Sequence, residues 1–293
     1  MERALGCWRS RSAPRARGQT GMVSVMLCAE LGSCHDNDWA KVEALVRLCA
    51  EAGFSACKLQ YWSSADRLAD RRHATPEYRA IYHRYQIPVE WLGQFHGLCR
   101  RHGLEAVCTV YLPEDVEVVA RWSDRVKIAS FENEDTALLD AAIATGKPVI
   151  VSAGMLDSHG AVKLLDLAQE EANLSVIRCV SAYPASLDGA IGPCPRYVDL
   201  DDDASLHTLV DGYSDHTHNV WTGAVAVGCG AQILEVHVRA YDTDPGNPDY
   251  ATALDPAEFA LYAHGVRTAE RLIADVPVDE SAMRRFKVKA ETP

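Results

Sequence analysis

The sequence predicts a single (β/α)₈ barrel. Short apolar runs alternate with amphipathic segments from Met22 onward, and eight of these runs fit within roughly 250 residues, the usual size of such a barrel. No G-x-G-x-x-G follows the first run, which argues against an open dinucleotide-binding sheet.

The expected strands are 23–29 (VSVMLCA), 54–60 (FSACKLQ), 104–110 (LEAVCTV), 125–129 (RVKIA), 147–153 (KPVIVSA), 174–180 (LSVIRCV), 209–214 (LVDGYS) and 231–238 (AQILEVHV). They are near-continuous apolar runs, as strands covered on both faces require. The first expected helix, 38–53, repeats apolar residues at 42, 45, 46 and 49 and ends on Gly53. Further helices are expected at 88–103, 113–122, 134–146, 158–172, 218–230 and 255–273, and Gly103 and Gly146 again stop a helix before a strand. An eighth is expected at about 198–208, in the acidic stretch DLDDDASLH. No Pro/Gly/Ser linker divides the chain, so one barrel domain is expected over 22–276. A basic, disordered extension (1–21) is expected before it and a short tail (277–293) after it.

Composition narrows the function. Net charge is −12, although residues 1–21 carry Arg3, Arg9, Arg11, Arg15 and Arg17 against Glu2 alone, so the body is more acidic still. Such a body excludes nucleic acid as a partner, and an anionic substrate would need a local cluster of cations. No apolar run reaches the length of a membrane span. Of the ten cysteines, Cys28, Cys57, Cys108 and Cys179 lie in strand-like runs and Cys49 and Cys99 in helix-like patterns, with no C-x-x-C pair anywhere, which suits buried thiols in a reducing, cytoplasmic setting. The opening segment has no apolar core of a secretory signal. Its Arg-rich composition also fits a transit peptide, with a plain extension the simpler reading.

In a parallel barrel, chemistry sits at the C-terminal ends of the strands. Every expected strand ends in polar residues: Glu30; Lys58 and Gln60; Thr109; Lys127, Ser130 and Glu132; Ser152; Ser181 and Tyr183; Ser214, Asp215 and His216; Glu235 and His237. Each alone has a plain explanation, such as a solvated lysine or a turn serine. A complete ring of them does not, since a purely structural barrel needs none.

Seven motifs in order, CAELGSCH (28–35), KLQ (58–60), KIASFE (127–132), GKPVIVSAGM (146–155), CVSAYPAS (179–186), GYSDHT (212–217) and ILEVH (233–237), resemble the sialic acid synthase family over roughly residues 23–275. SDHT followed by E-x-H is the specific part of the match, and KLQ alone is not. The resemblance implies a phosphoenolpyruvate-dependent transferase that makes a 2-keto-3-deoxy, nonulosonic-type acid from a sugar aldehyde. It implies a divalent metal, Mn²⁺ first with Mg²⁺ or Co²⁺ as alternatives, held by His216 and His237. It implies phosphoenolpyruvate on Lys58, Thr109, Lys127, Ser130, Ser152 and Ser214. Gln60, Ser181, Tyr183 and Asp249 would face the aldehyde, and Glu30 or Glu132 would activate water. A homodimer is a further expectation.

The departures are informative. Cys34 stands where the family ordinarily has Asn, the sixth strand reads Arg178-Cys179-Val180-Ser181, and the loop Pro245-Gly246-Asn247-Pro248-Asp249 is one residue longer than PGPD. A C-terminal antifreeze-like domain, whose arginine serves the sugar's N-acyl group in relatives, is not expected in this sequence. A substitute donor is sought in a lid between the second strand and its helix, where Arg71, Arg72, Arg79 and Arg84 lie among Tyr78, Tyr82 and Tyr85, and Arg178 is expected to point away from the site. Two rival readings stay open: the same chemistry on an aldehyde lacking an N-acyl group, and a non-catalytic barrel that binds a phosphorylated metabolite.

Overall fold

The structure, a computed structural model, describes residues 24–191, 197–199 and 207–274. The expected terminal segments 1–21 and 277–293 lie outside them. Eight parallel strands close a barrel: β1 (Met26–Glu30), β2 (Ala56–Tyr61), β3 (Glu105–Val110), β4 (Arg125–Ile128), β5 (Val149–Ser152), β6 (Leu174–Cys179), β9 (Gly212–Asp215) and β10 (Ile233–His237). They pair in that order, and β10 closes onto β1. Between β6 and β9 lies a separate antiparallel pair, β7 (Tyr197–Asp199) and β8 (His207–Leu209).

The two strands take the ends of the stretch where a helix is expected, 198–208, and residues 200–206 of it lie outside the described residues. Three consecutive aspartates, Asp201–Asp203, leave that stretch without the apolar stripe a helix must bury, while Tyr197 and Val198 favour extended backbone. The other expected helices form: α1 (Trp39–Ala52), α4 (Glu90–Arg101), α5 (Val116–Arg121), α6 (Thr136–Ala144), α7 (Ser158–Glu170), α8 (Thr222–Gly228) and α9 (Pro256–Leu272). Two short helices, α2 (Ala65–Arg71) and α3 (Pro76–Tyr85), also form after β2, where the sequence reading placed only a lid. Their start signals are local: Ser64 and Thr75 accept from the backbone N–H three residues on, and Pro76 opens α3.

The outer faces of the strands and the inner faces of the helices make the main core, in which Phe54 and Phe259 meet edge to face at 5.9 Å. Inside the barrel, the lower layers are apolar: Met26, Cys28, Ala56 and Val107 form one group, and Ile150, Ile177 and Ile233 another. On four strands the next inward position, two residues further along because side chains on one strand face repeat every second residue, is polar. Ala56 gives way to Lys58, Val107 to Thr109, Ile150 to Ser152, and Ile233 to Glu235 and then His237. The eight described cysteines are free thiols, seven of them buried, and burial holds Cys28 and Cys57 well above the usual thiol pKa. Among the described residues no helix is long and apolar enough to cross a membrane.

Candidate active site

Strand register fixes which polar residues share a level. Glu30 stands beside both Lys58 and His237, Glu235 beside Ser214, and Thr109 beside Gln60 and Lys127. The centre is a buried ion triad: Lys58 Nζ lies 2.6 Å from Glu30 Oε2 and 2.7 Å from Glu235 Oε2, with all three residues almost fully enclosed. Burial opposes the Lys58 charge, but Glu235 and Glu30 outweigh it and raise its pKa. Burial likewise opposes ionisation of Glu235, but Lys127 and Lys58 hold it well below the usual carboxylate range. Ser214 Oγ donates to the other Glu235 oxygen at 2.8 Å, and Gly32 N donates to Glu30 Oε1 at 2.6 Å.

Lys127 is the second buried ammonium. It donates to Ser152 Oγ at 2.6 Å and Ile128 O at 3.0 Å, so among the described residues its hydrogen-bond partners are neutral oxygens. Burial lowers its pKa. Thr109 Oγ1, on the neighbouring strand, is buried without a partner. Ser181 Oγ donates to Ser130 Oγ at 2.9 Å, next to inward-facing Cys179. Asn133 Nδ2 donates to the carbonyls of Ser152 and Gly154, drawing the β5 loop against this serine pair. Only glycine fits at 154, because a Cβ there would stand 2.4 Å from Ser181 Oγ and 2.5 Å from Cys179 Sγ.

His216 and His237 face each other with ring centroids 5.4 Å apart. His216 Nδ1 is 2.7 Å from the Val180 carbonyl, to which only an N–H can donate, so Nε2 keeps its lone pair. Burial, reinforced by His237, lowers the His216 pKa to about 4 and keeps the ring neutral. His237 Nδ1 is buried without a hydrogen-bond partner and lies 3.9 Å from Asp249 Oδ1. Two buried imidazoles, one with a spare lone pair and one with an unsatisfied nitrogen, are a suitable donor set for a divalent transition ion. Among the described residues no group of three or more His, Cys, Asp or Glu is arranged to hold a metal. Tyr183 covers the pair, 4.3 Å from His216 and 5.8 Å from His237 between centroids, with 45% of its surface exposed.

Glu132 sits further out on the wall. Arg72, just past the end of α2, holds both its oxygens, Nε to Oε1 at 2.7 Å and Nη2 to Oε2 at 2.9 Å. The same guanidinium packs 4.9 Å from the ring centroids of Tyr111 and Phe131. Arg71 pairs with Asp135, Arg79 with Asp66 and Asp70, and Arg84 with Asp244. All four candidate lid arginines therefore already hold carboxylates. Arg178 lies near Tyr213, its register partner on the face of β6 opposite Cys179. Gln60 is half-buried at the end of β2. Asp249 Oδ2 is 2.8 Å from Ser33 N and 2.6 Å from Ser33 Oγ.

Glu235 was legible as a strand-end residue two before His237, yet its central place between two lysines was not. Arg72 was legible only as one of four lid arginines. Asn133 carried no signal beyond its position after KIASFE.

A closed parallel barrel with this ring of ionised and metal-compatible side chains at its C-terminal mouth defines a (β/α)₈ enzyme. The sequence pattern of the NeuB family matches residues 45–276, and the chain belongs to that family. It is 26% identical over 275 residues to a pseudaminic acid synthase of Campylobacter jejuni, covering 89% of this chain and 78% of that one. It is 26% identical over 293 residues to an N,N'-diacetyllegionaminic acid synthase of Legionella pneumophila, covering 92% and 78%. The crystal structure of an N-acetylneuraminic acid synthetase from Leptospira borgpetersenii superposes with a TM-score of 0.74 at 20% identity, covering 91% and 92%, a likeness of fold.

Proposed function

We propose that the chain condenses phosphoenolpyruvate with a sugar aldehyde of the N-acylhexosamine type, giving a 2-keto-3-deoxy acid and phosphate. Its class, an acid synthase that forms a carbon–carbon bond from phosphoenolpyruvate, comes with its family. The observation that carries the finer reading is the position of Lys127. This buried ammonium contacts only neutral oxygens among the described residues and sits between Ser152 and the unpartnered Thr109 hydroxyl. A multiply charged phosphate ester supplies the direct anionic contact such a group lacks, and charge-assisted bonds from Lys127, Thr109, Ser130 and Ser152 would orient it, with Ser214 giving its proton to Glu235.

A divalent ion on His216 and His237 would supply Lewis-acid activation of the aldehyde oxygen. Carbon 3 of phosphoenolpyruvate then bonds to the aldehyde carbon, water adds at carbon 2, and the carbon–oxygen bond to phosphate breaks. Lys58 pairs with both Glu30 and Glu235 at the floor of the site. Each Glu30 oxygen keeps a second lone pair, so Glu30 is placed to take the proton of the entering water. Glu132, held through both oxygens by Arg72 further out on the wall, is the alternative base. Tyr183 shields the imidazoles, and Gln60, Ser181 and Asp249 face the aldehyde.

A second reading, an aldehyde without the N-acyl group, is favoured by the pairing of all four lid arginines with carboxylates, which leaves an acyl carbonyl without an uncommitted donor. Phosphate release from phosphoenolpyruvate and Mn²⁺, across aldoses with and without a 2-acylamido group, tests both. Release with no aldose would overturn the proposal.

A further inference from the structure

The two oddities of this sequence that the mechanism leaves unused, Cys34 in the first motif and the extra Asn247 in the Pro245–Asp249 loop, touch each other. Cys34 Sγ lies 3.8 Å from Asn247 Oδ1, and both residues are buried, with Asn247 only 4% exposed. The Asn247 amide spans two loops that enter the site from strands adjacent in the barrel, β1 and β10. Its Nδ2 donates to Ser33 O at 2.7 Å and to Asp36 Oδ1 at 2.9 Å. Its Oδ1 accepts from Asp249 N at 3.0 Å and lies 2.6 Å from Ser33 Oγ. Ser33 in turn reaches Asp249 Oδ2 through both its N–H and its hydroxyl. The turn is tight: Gly32 has φ of +50°, and a Cβ on it would stand 2.4 Å from that carboxylate oxygen.

We propose that Asn247 is the positioning residue for Asp249, and that Asn247 and Cys34 are one coupled change in which the β10 loop supplies an amide that the β1 loop does not. The inference rests on the reading that Asp249 faces the aldehyde. An amide with two donors and an acceptor satisfies a carbonyl, a carboxylate and a backbone N–H at once, which a thiol cannot do. Only one amide fits. An asparagine at 34 would reach past the present sulfur into the volume that Asn247 fills, whereas with alanine at 247 that volume is vacant.

The test is a cycle of Asn247→Ala, Cys34→Asn and the double variant, read by acceptor kinetics and by melting. N-acetylmannosamine serves as the acceptor probe, with phosphoenolpyruvate and Mn²⁺ saturating. Asn247→Ala should raise the KM for the acceptor about tenfold or more while the KM for phosphoenolpyruvate stays within about twofold. Each single variant should melt about 3 °C or more below the wild type, and the double variant should recover most of both losses. An unchanged acceptor KM in a folded Asn247→Ala protein, equal losses for both substrates, or additive single effects in the double variant would each overturn the proposal. A wild type that turns over no aldehyde would instead count against the reading of Asp249, and the melting cycle would still decide the coupling.

Discussion

Replacing Glu235 by Gln keeps the shape of the buried triad and removes one charge. In the wild type, Lys58 and Lys127 are balanced by Glu30 and Glu235, and Glu235 contacts both Lys58 Nζ at 2.7 Å and Ser214 Oγ at 2.8 Å. The variant leaves two buried ammonium groups facing one carboxylate. Breaking a buried pair costs about 3–5 kcal/mol, and the lower end applies because Glu30 still holds Lys58 at 2.6 Å. A loss of about 3 kcal/mol corresponds to a melting temperature lower by roughly 6–12 °C for a domain of this size. The pH dependence has a definite sign. Glu235 is held below its unfolded pKa of about 4.3, so its contribution is complete above that pH and declines as pH falls through it toward the lower folded pKa. The stability of Glu235→Gln should therefore fall less steeply than that of the wild type on acidification below about pH 5. Melting curves by circular dichroism, taken at neutral pH and at several lower values, read both effects. Equal melting at neutral pH, or parallel acid profiles, would refute the idea that this carboxylate carries the charge balance of the barrel.

His216→Ala and His237→Ala should each abolish phosphate release, and Mn²⁺ or Co²⁺ should restore a chelator-treated wild type but neither variant; a chelator-insensitive wild type would remove the metal from the proposal. Lys127→Ala should raise the KM for phosphoenolpyruvate roughly 10- to 150-fold, the equivalent of one charge-assisted contact, and a change under threefold in steady-state kinetics would displace Lys127 from the anion site. With every lid arginine paired, kcat/KM for N-acetylmannosamine should exceed that for mannose by less than a thousandfold, and a larger preference would show that an acyl donor exists after all.

The barrel was legible because its strands are covered on both faces, so that runs such as VSVMLCA and AQILEVHV stand out from the amphipathic helices between them. The helix expected near 198–208 shows where that signal weakens: an acidic run has neither periodicity, only the count to eight helices argued for one there, and the described ends of the stretch are strands. Helices α2 and α3 were missed because each is too short to show an apolar stripe, although Ser64 and the Thr75-Pro76 pair mark their starts. In the site, sequence gives which residues reach the mouth and not which ones neutralise each other. Lys58 reads as a free ammonium and is enclosed by two carboxylates. Glu132 reads as a free base and is held by an arginine sixty residues earlier. Such pairings depend on barrel closure and on loop paths, which no local pattern encodes.

The apolar layers of Ile150, Ile177 and Ile233 and of Cys28, Ala56 and Val107 make the barrel a blind well. Whatever enters must leave by the same opening. Lys127 and Ser152 lie at a deeper level than Asp249 and Tyr183, so a molecule seated on the lysine has no exit while another occupies the rim. A queue follows from this shape alone: the deep ligand arrives first, the shallow one second. On the proposed seating, a surplus of the shallow ligand would jam an empty well, and turnover should fall when the aldehyde outruns its partner.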